Sequence, residues 1–321
     1  MRLTIRAAKT GTLALVLVGL GAGVVHALPE PADRAIEPTV ERDVATWAMP
    51  LDGWVQPGSD KASYGEDLVM QPCLRKAGID FPPPWATIDG LEAASDAAET
   101  PERGNPAPAL SSTRPLDEDT ARTRGYHAPS TAGANGDGRR AWGGDPERNA
   151  AFADASQSAV TRCFRQAERT VGTADPDGSV QSASMTAKRL TFLAGTAARD
   201  DETVVAAAAR WRTCMADADV PDLPGAPSGM PSQSMRMDYG TNLLSTPVQD
   251  AEVAIAERDV ACQDSSGYRE ALYDAEWQRL LHVTASDAAV LLAAEPDQRE
   301  VDRHIDDVIR DLAPAAPSDV D

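Results

Sequence analysis

Four cysteines, Cys73, Cys163, Cys214 and Cys262, and four histidines are the residues of this chain with the sharpest chemistry, and their spacing limits what that chemistry is. No Cys-x-x-Cys pair occurs and no histidine lies within a few residues of a cysteine, so zinc binding and dithiol redox catalysis lack a local pattern. His26, His127, His282 and His304 are scattered, and no HExxH, nucleophile-elbow, phosphate-loop or dinucleotide fingerprint is present. "TADPDGSVQSAS" has the Asp175, Asp177 and Gly178 of a calcium loop, but Thr173 and Ser184 stand where its first and last ligands would be; we read it as a turn. No cofactor, no metal and no catalytic residue is expected.

One short cluster, "RGYH", places a cation, an aromatic ring and an imidazole together at Arg124, Tyr126 and His127 within a polar stretch. As a recognition point it would use the loop position common to binding residues. The reading we favour is that Tyr126 packs on the body and pins the loop, since a lone aromatic in a polar segment finds a surface to cover. Paired carboxylates for hydrolysis of cell-wall material are the competing chemistry. Acidic residues are abundant, but only 15 residues are aromatic, few for lining a sugar-binding cleft.

The cysteines come with a repeated context. "CLRKAGIDFPP" (73–83) and "CMADADVPDLP" (214–224) share the cysteine, a large apolar residue next to it, an alanine four on, a β-branched residue at six and then proline. Four cysteines allow three pairings. If Cys73 and Cys214 are equivalent positions of a duplicated unit, each pairs with the next cysteine downstream, giving Cys73 with Cys163 and Cys214 with Cys262. Such bridges close loops of 90 and 48 positions, worth roughly 3 to 5 kcal/mol apiece in the chain-entropy account.

An oxidising compartment follows from the start of the chain. Arg2, Arg6 and Lys9 precede the apolar run at 12–25, and small residues Val25 and Ala27 follow, the layout of a secretory signal peptide cleaved after Ala27. The run is shorter than the ~20 residues a spanning helix needs, so no membrane span is expected after cleavage. Losing those three positive charges takes the formal net charge from −20 to −23, which argues against nucleic acid as a partner. A secreted or extracytoplasmic envelope location is expected.

Periodicity and punctuation give an all-α fold stapled by disulfides, with long irregular loops. Residues 28–62 read as an extended N-terminal segment anchored by Trp47, Met49, Leu51 and Trp54. Residues 63–175 form a first helical half, opened by a capping box at Ser63 and Glu66, kinked at Pro72, ended at Gly78 and interrupted by a loop over 86–147 with one short helix near 116–127. A helix over 149–171 carries Cys163. Residues 176–312 form a second half, with helices bearing Cys214 and Cys262 and a long helix from about Gly267 to Pro296. A final helix follows, with Val301, Ile305, Val308 and Leu312 on one face. Residues 313–321 read as a disordered tail.

"CLRKAGIDFP", "RGYH", "WRTCMADADV" and "AERDVACQ" together resemble segments of exported four-cysteine proteins of high-GC Gram-positive bacteria, over residues 45–265. Thr161 and Arg162 replace the glycine that tends to precede the second cysteine of that group, and Asp219 stands where a glycine would end the helix. The group has no established activity. Its members are encoded near ABC transporter components, so the resemblance implies a non-enzymatic envelope protein that binds or scaffolds an envelope or transporter-associated partner. Carriage of a small ligand would instead need a sizeable apolar pocket between helices.

Overall fold

In the computed structural model of the chain, which describes residues 33–98, 114–127, 136–241 and 247–316, helices form nearly all regular structure. The expected signal segment, residues 317–321 of the tail and stretches 99–113 and 128–135 of the long connection lie outside the described residues. In chain order the helices are α1 (Ser59–Lys76), α2 (Ile88–Ala98), α3 (Glu118–Arg124), α4 (Gly136–Gly143), α5 (Pro146–Asp154), α6 (Gln157–Val171) and α7 (Ser179–Ala198). They continue as α8 (Glu202–Cys214), α9 (Gln233–Tyr239), α10 (Asp250–Ser266), α11 (Tyr268–Leu280), α12 (Ala285–Leu291) and α13 (Gln298–Leu312). Strands β1 (Asp33–Ala35) and β2 (His282–Thr284) pair as an antiparallel ribbon. The all-α class is as expected from the sequence.

Local signals place many of the helix starts. Asp117, Asp145, Asp201, Ser232 and Thr284 each cap the following helix by accepting a backbone N–H, which satisfies donors that the first turn would leave open. Asp175 accepts from Val180 and Gln181 and Asp177 from Ser179, so the calcium-like loop is a turn that opens α7. Several expectations need correction. α1 begins at Ser59, four residues before the expected capping box, and runs through Pro72 as one helix. The helix expected over 149–171 is split at Ala155 and Ser156, whose extended ψ angles end α5 and start α6. The long helix after Gly267 stops at Leu280, where the chain turns into β2. α13 buries Ile305 and Ile309, while Leu312 stays half-exposed.

Packing sorts the helices into two groups. α1 lies against α2, α6 and α13, and α11 lies against α7 and α8. The last helix therefore returns to the first group instead of extending the second. Lys61, 1% exposed, ties the first group by ion pairs with Glu92, Asp302 and Asp306, drawn from α2 and α13. In the second group α7 presents Ala183, Ala187, Thr191, Ala194 and Ala198 to α11, small side chains that let two helix axes approach closely. The N-terminal segment crosses this group as expected, with Trp47, Met49, Leu51 and Trp54 buried. The Tyr273 hydroxyl holds its turn closed by accepting from Asp43 N–H at 2.9 Å and donating to the Ala48 carbonyl at 2.7 Å.

Both disulfides pair as the repeated segment implied, Cys73 with Cys163 between α1 and α6, and Cys214 with Cys262 between α8 and α10, at Cα separations of 5.6 and 5.7 Å. Around them the two segments adopt one local geometry. The residue after each cysteine, Leu74 or Met215, is buried, and its carbonyl accepts from Ala77 or Ala218. The fifth residue, Gly78 or Asp219, takes a positive φ of 88° or 54°. Glycine reaches that region freely and aspartate at a cost of about 1 kcal/mol.

Exchange of these two residues tests that geometry, since a Cβ at Gly78 meets nothing within 4 Å. Asp219→Gly is expected to raise stability by up to about 1 kcal/mol and Gly78→Asp to lower it by about 1 kcal/mol, read as shifts of the urea midpoint at unchanged slope.

Candidate functional site

"RGYH", "WRTCMADADV" and "AERDVACQ" meet beside the second disulfide, while "CLRKAGIDFP" lies at the first. Trp211 lies one turn before Cys214 on α8, and Asp259 one turn before Cys262 on α10, so closing the bridge sets indole and carboxylate against each other. Trp211 Nε1 donates to Asp259 Oδ1 at 2.7 Å, and Gln263 Nε2 donates to the same oxygen at 2.9 Å. The other oxygen, Oδ2, accepts from the Tyr126 hydroxyl at 2.9 Å. Asp259 is 1% exposed. Burial pushes its pKa up, and the three donors pull it back. Burial and the adjacent Asp259 push the Tyr126 phenol far up.

A second buried carboxylate sits two turns earlier on α10. Glu252 Oε1 accepts from the Tyr126 backbone N–H at 2.8 Å and faces His127 Nδ1 at 3.0 Å. Gly125 makes the approach possible, because a Cβ there would lie 2.6 Å from Glu252 Oε1 and φ is 58°. His127 Nε2 and Glu252 Oε2 are buried and meet no hydrogen-bond partner among the described residues. An imidazole oriented by a carboxylate is the arrangement used for general-base work, but here the ring is 8% exposed inside the contact between α3 and α10.

The structure thus gives the three residues of "RGYH" separate places. Tyr126 and His127 turn inward and pin the segment 114–127 to α10, while Arg124 stays on α3, donating to Thr120 at 3.2 Å. Arg269 fastens the other end of the segment through the Leu116 carbonyl. Sequence reasoning did not single out Glu252 or Asp259 as the receiving groups. The available signal was a carboxylate, Asp259, on the same helix face as Ile255, Ala256, Val260 and Cys262.

Other carboxylates with raised pKa values are also engaged within the fold. Asp67, pushed up to about 6 by burial, pairs with Arg139 at 3.2 Å. Glu66, raised by burial, accepts from Thr173, and Asp52, raised by burial, accepts from Met49 N–H. Glu276, pushed up to about 7 by burial, accepts from Trp47 Nε1 at 3.0 Å and anchors the N-terminal segment.

The first disulfide has different surroundings. It lies in a groove of about 490 Å³ between α1 and α6, and a shallow depression on the adjoining face of α6 is lined by that helix alone, with Arg162 bordering both. Among the described residues no group of three or more His, Cys, Asp or Glu side chains is placed to hold a metal ion, and no helix is long and apolar enough to cross a membrane. Compared with protein-family models, with curated proteins and with solved structures, the chain matches none.

Glu276 yields a pH dependence. Its folded pKa, about 7, lies above the ordinary 4.5, so the stability it contributes is fully present below pH 4.5 and is lost as pH rises through 7. Wild-type protein is expected to lose stability between pH 5 and pH 8 by on the order of 3 kcal/mol more than Glu276→Gln, whose amide keeps an acceptor for Trp47. Urea midpoints of both proteins at the two pH values check this.

Proposed function

We propose that this protein is an exported, non-enzymatic binding or scaffolding protein of the cell envelope. The observation that carries the reading is the basic-rimmed groove beside the first disulfide. A buried network of Tyr126 with Asp259 lies one turn from the second, and an open groove lined by Lys76 and Arg162 borders the first. The basic and apolar N-terminus, the two disulfides and the acidic composition support an extracytoplasmic location. Titratable groups with raised pKa values spend their hydrogen bonds on the protein's own backbone and side chains, which supports a structural role for them.

Site-specific photo-crosslinking in the exporting cell tests the reading. A photoreactive side chain at Gln166, in the groove, is expected to give one discrete adduct, identified by mass spectrometry, and the same group at the exposed Leu292 just after α12 none. Equal labelling from both positions, or none from either, would contradict a binding surface there. The exported form is expected to begin at Leu28.

A further inference from the structure

Three arginines of α6 form a basic face on an otherwise acidic chain; exposed arginines that enter no ion pair among the described residues occur elsewhere too, Arg34, Arg212 and Arg236 among them. The chain has 50 acidic and 30 basic residues, so a surface arginine has carboxylates to spare. Arg42, Arg122, Arg139, Arg189, Arg269, Arg279 and Arg310 each find one. Arg162, Arg165 and Arg169 are exposed and enter no ion pair among the described residues. Their spacing, i, i+3 and i+7, puts all three on one face of the helix, opposite the buried Val160, Cys163, Ala167 and Val171. The neighbouring acid on the helix, Glu168, lies near enough to Glu66 of α1 for its charge to raise that carboxyl's pKa, and it pairs with none of the three.

The basic face runs into the groove over the first disulfide, whose walls are Val69, Pro72, Ala77 and Ala159 with Lys76 and Arg162 beside them. The adjoining face of α6, from Gln157 to Arg169, follows about 18 Å of helix, the reach of five or six extended residues. One side of it is apolar and the adjoining side is a row of guanidinium groups, which take carboxylates bidentately.

We propose that this groove docks an extended acidic segment of a partner protein, with carboxylates on Arg162, Arg165 and Arg169 and an apolar side chain over the Cys73–Cys163 bridge. The proposal rests on the binding reading above and names the chemistry of the occupant. A bare phosphate polymer would satisfy the arginines and leave the apolar side empty. A second copy would bring two chains of net charge −20 together against their mutual repulsion.

The test uses the full chain with both disulfides formed and a fluorescent hexapeptide alternating glutamate or aspartate with leucine. The acidic peptide is expected to bind at least tenfold tighter than its glutamine and asparagine counterpart. Binding should weaken at least tenfold in the variant carrying Arg165→Glu and Arg169→Glu, and fall steeply as salt is raised. Circular dichroism and intact mass with both bridges present show that the variant is folded. Equal binding of the amide peptide, unchanged binding by the variant, tighter binding of inorganic polyphosphate than of the peptide, or self-association abolished by the charge reversal would each overturn the proposal. If the Gln166 adduct forms equally in wild type and variant, the binding reading stands and the arginine assignment falls.

Discussion

A carboxylate buried to 1% exposure is the constraint around which the second half of this molecule is arranged. An ionised Asp259 without partners would cost several kcal/mol, and three donors supply what water no longer does. Those donors come from α8, from α10 itself and from a segment 133 residues away in sequence. Satisfying the carboxylate therefore fixes the register of α8 on α10 and brings Tyr126 down onto both. The Cys214–Cys262 bridge, one turn further on each helix, holds the same two helices, so the covalent and the polar constraints agree.

The first half shows what the same bridge does without that carboxylate. Val160 occupies the place, three residues before the cysteine, that Asp259 has in the second half, and Met70 the place of Trp211. Both are buried apolar side chains, which pack without demanding a donor from a distant segment. The Cys73–Cys163 bridge there borders a groove rimmed by basic residues. One geometry at the backbone thus yields a sealed polar network in one half and an accessible surface in the other.

The cysteine pairing was legible because the two segments repeat a cap as well as a cysteine, and the helix that ends at Gly78 and the pin at Tyr126 were legible for equally local reasons. α7 was not, because its buried face is built from Ala, Ser, Thr and Gly, residues whose contrast with a polar face is weak. The break at Ala155 and Ser156 lies inside a run with good helical composition, and the ribbon of β1 with β2 joins residues about 250 positions apart. Glu252 and Asp259 were missed at the candidate site, and Glu276 beneath the N-terminal segment, because acidic residues are taken as exposed unless a partner is known. Their partners are distant in sequence, and only the fold brings them together.

A double-mutant cycle between Tyr126 and Asp259 tests the central claim most directly. Unfolding free energies of wild type, Tyr126→Phe, Asp259→Asn and the double variant, taken from urea denaturation with both disulfides intact, give the coupling between the segment and the buried carboxylate. The account requires a coupling of about 1 to 3 kcal/mol. Additivity within about 0.5 kcal/mol would show that Asp259 does not hold the segment and would remove the constraint on which this description of the second half rests.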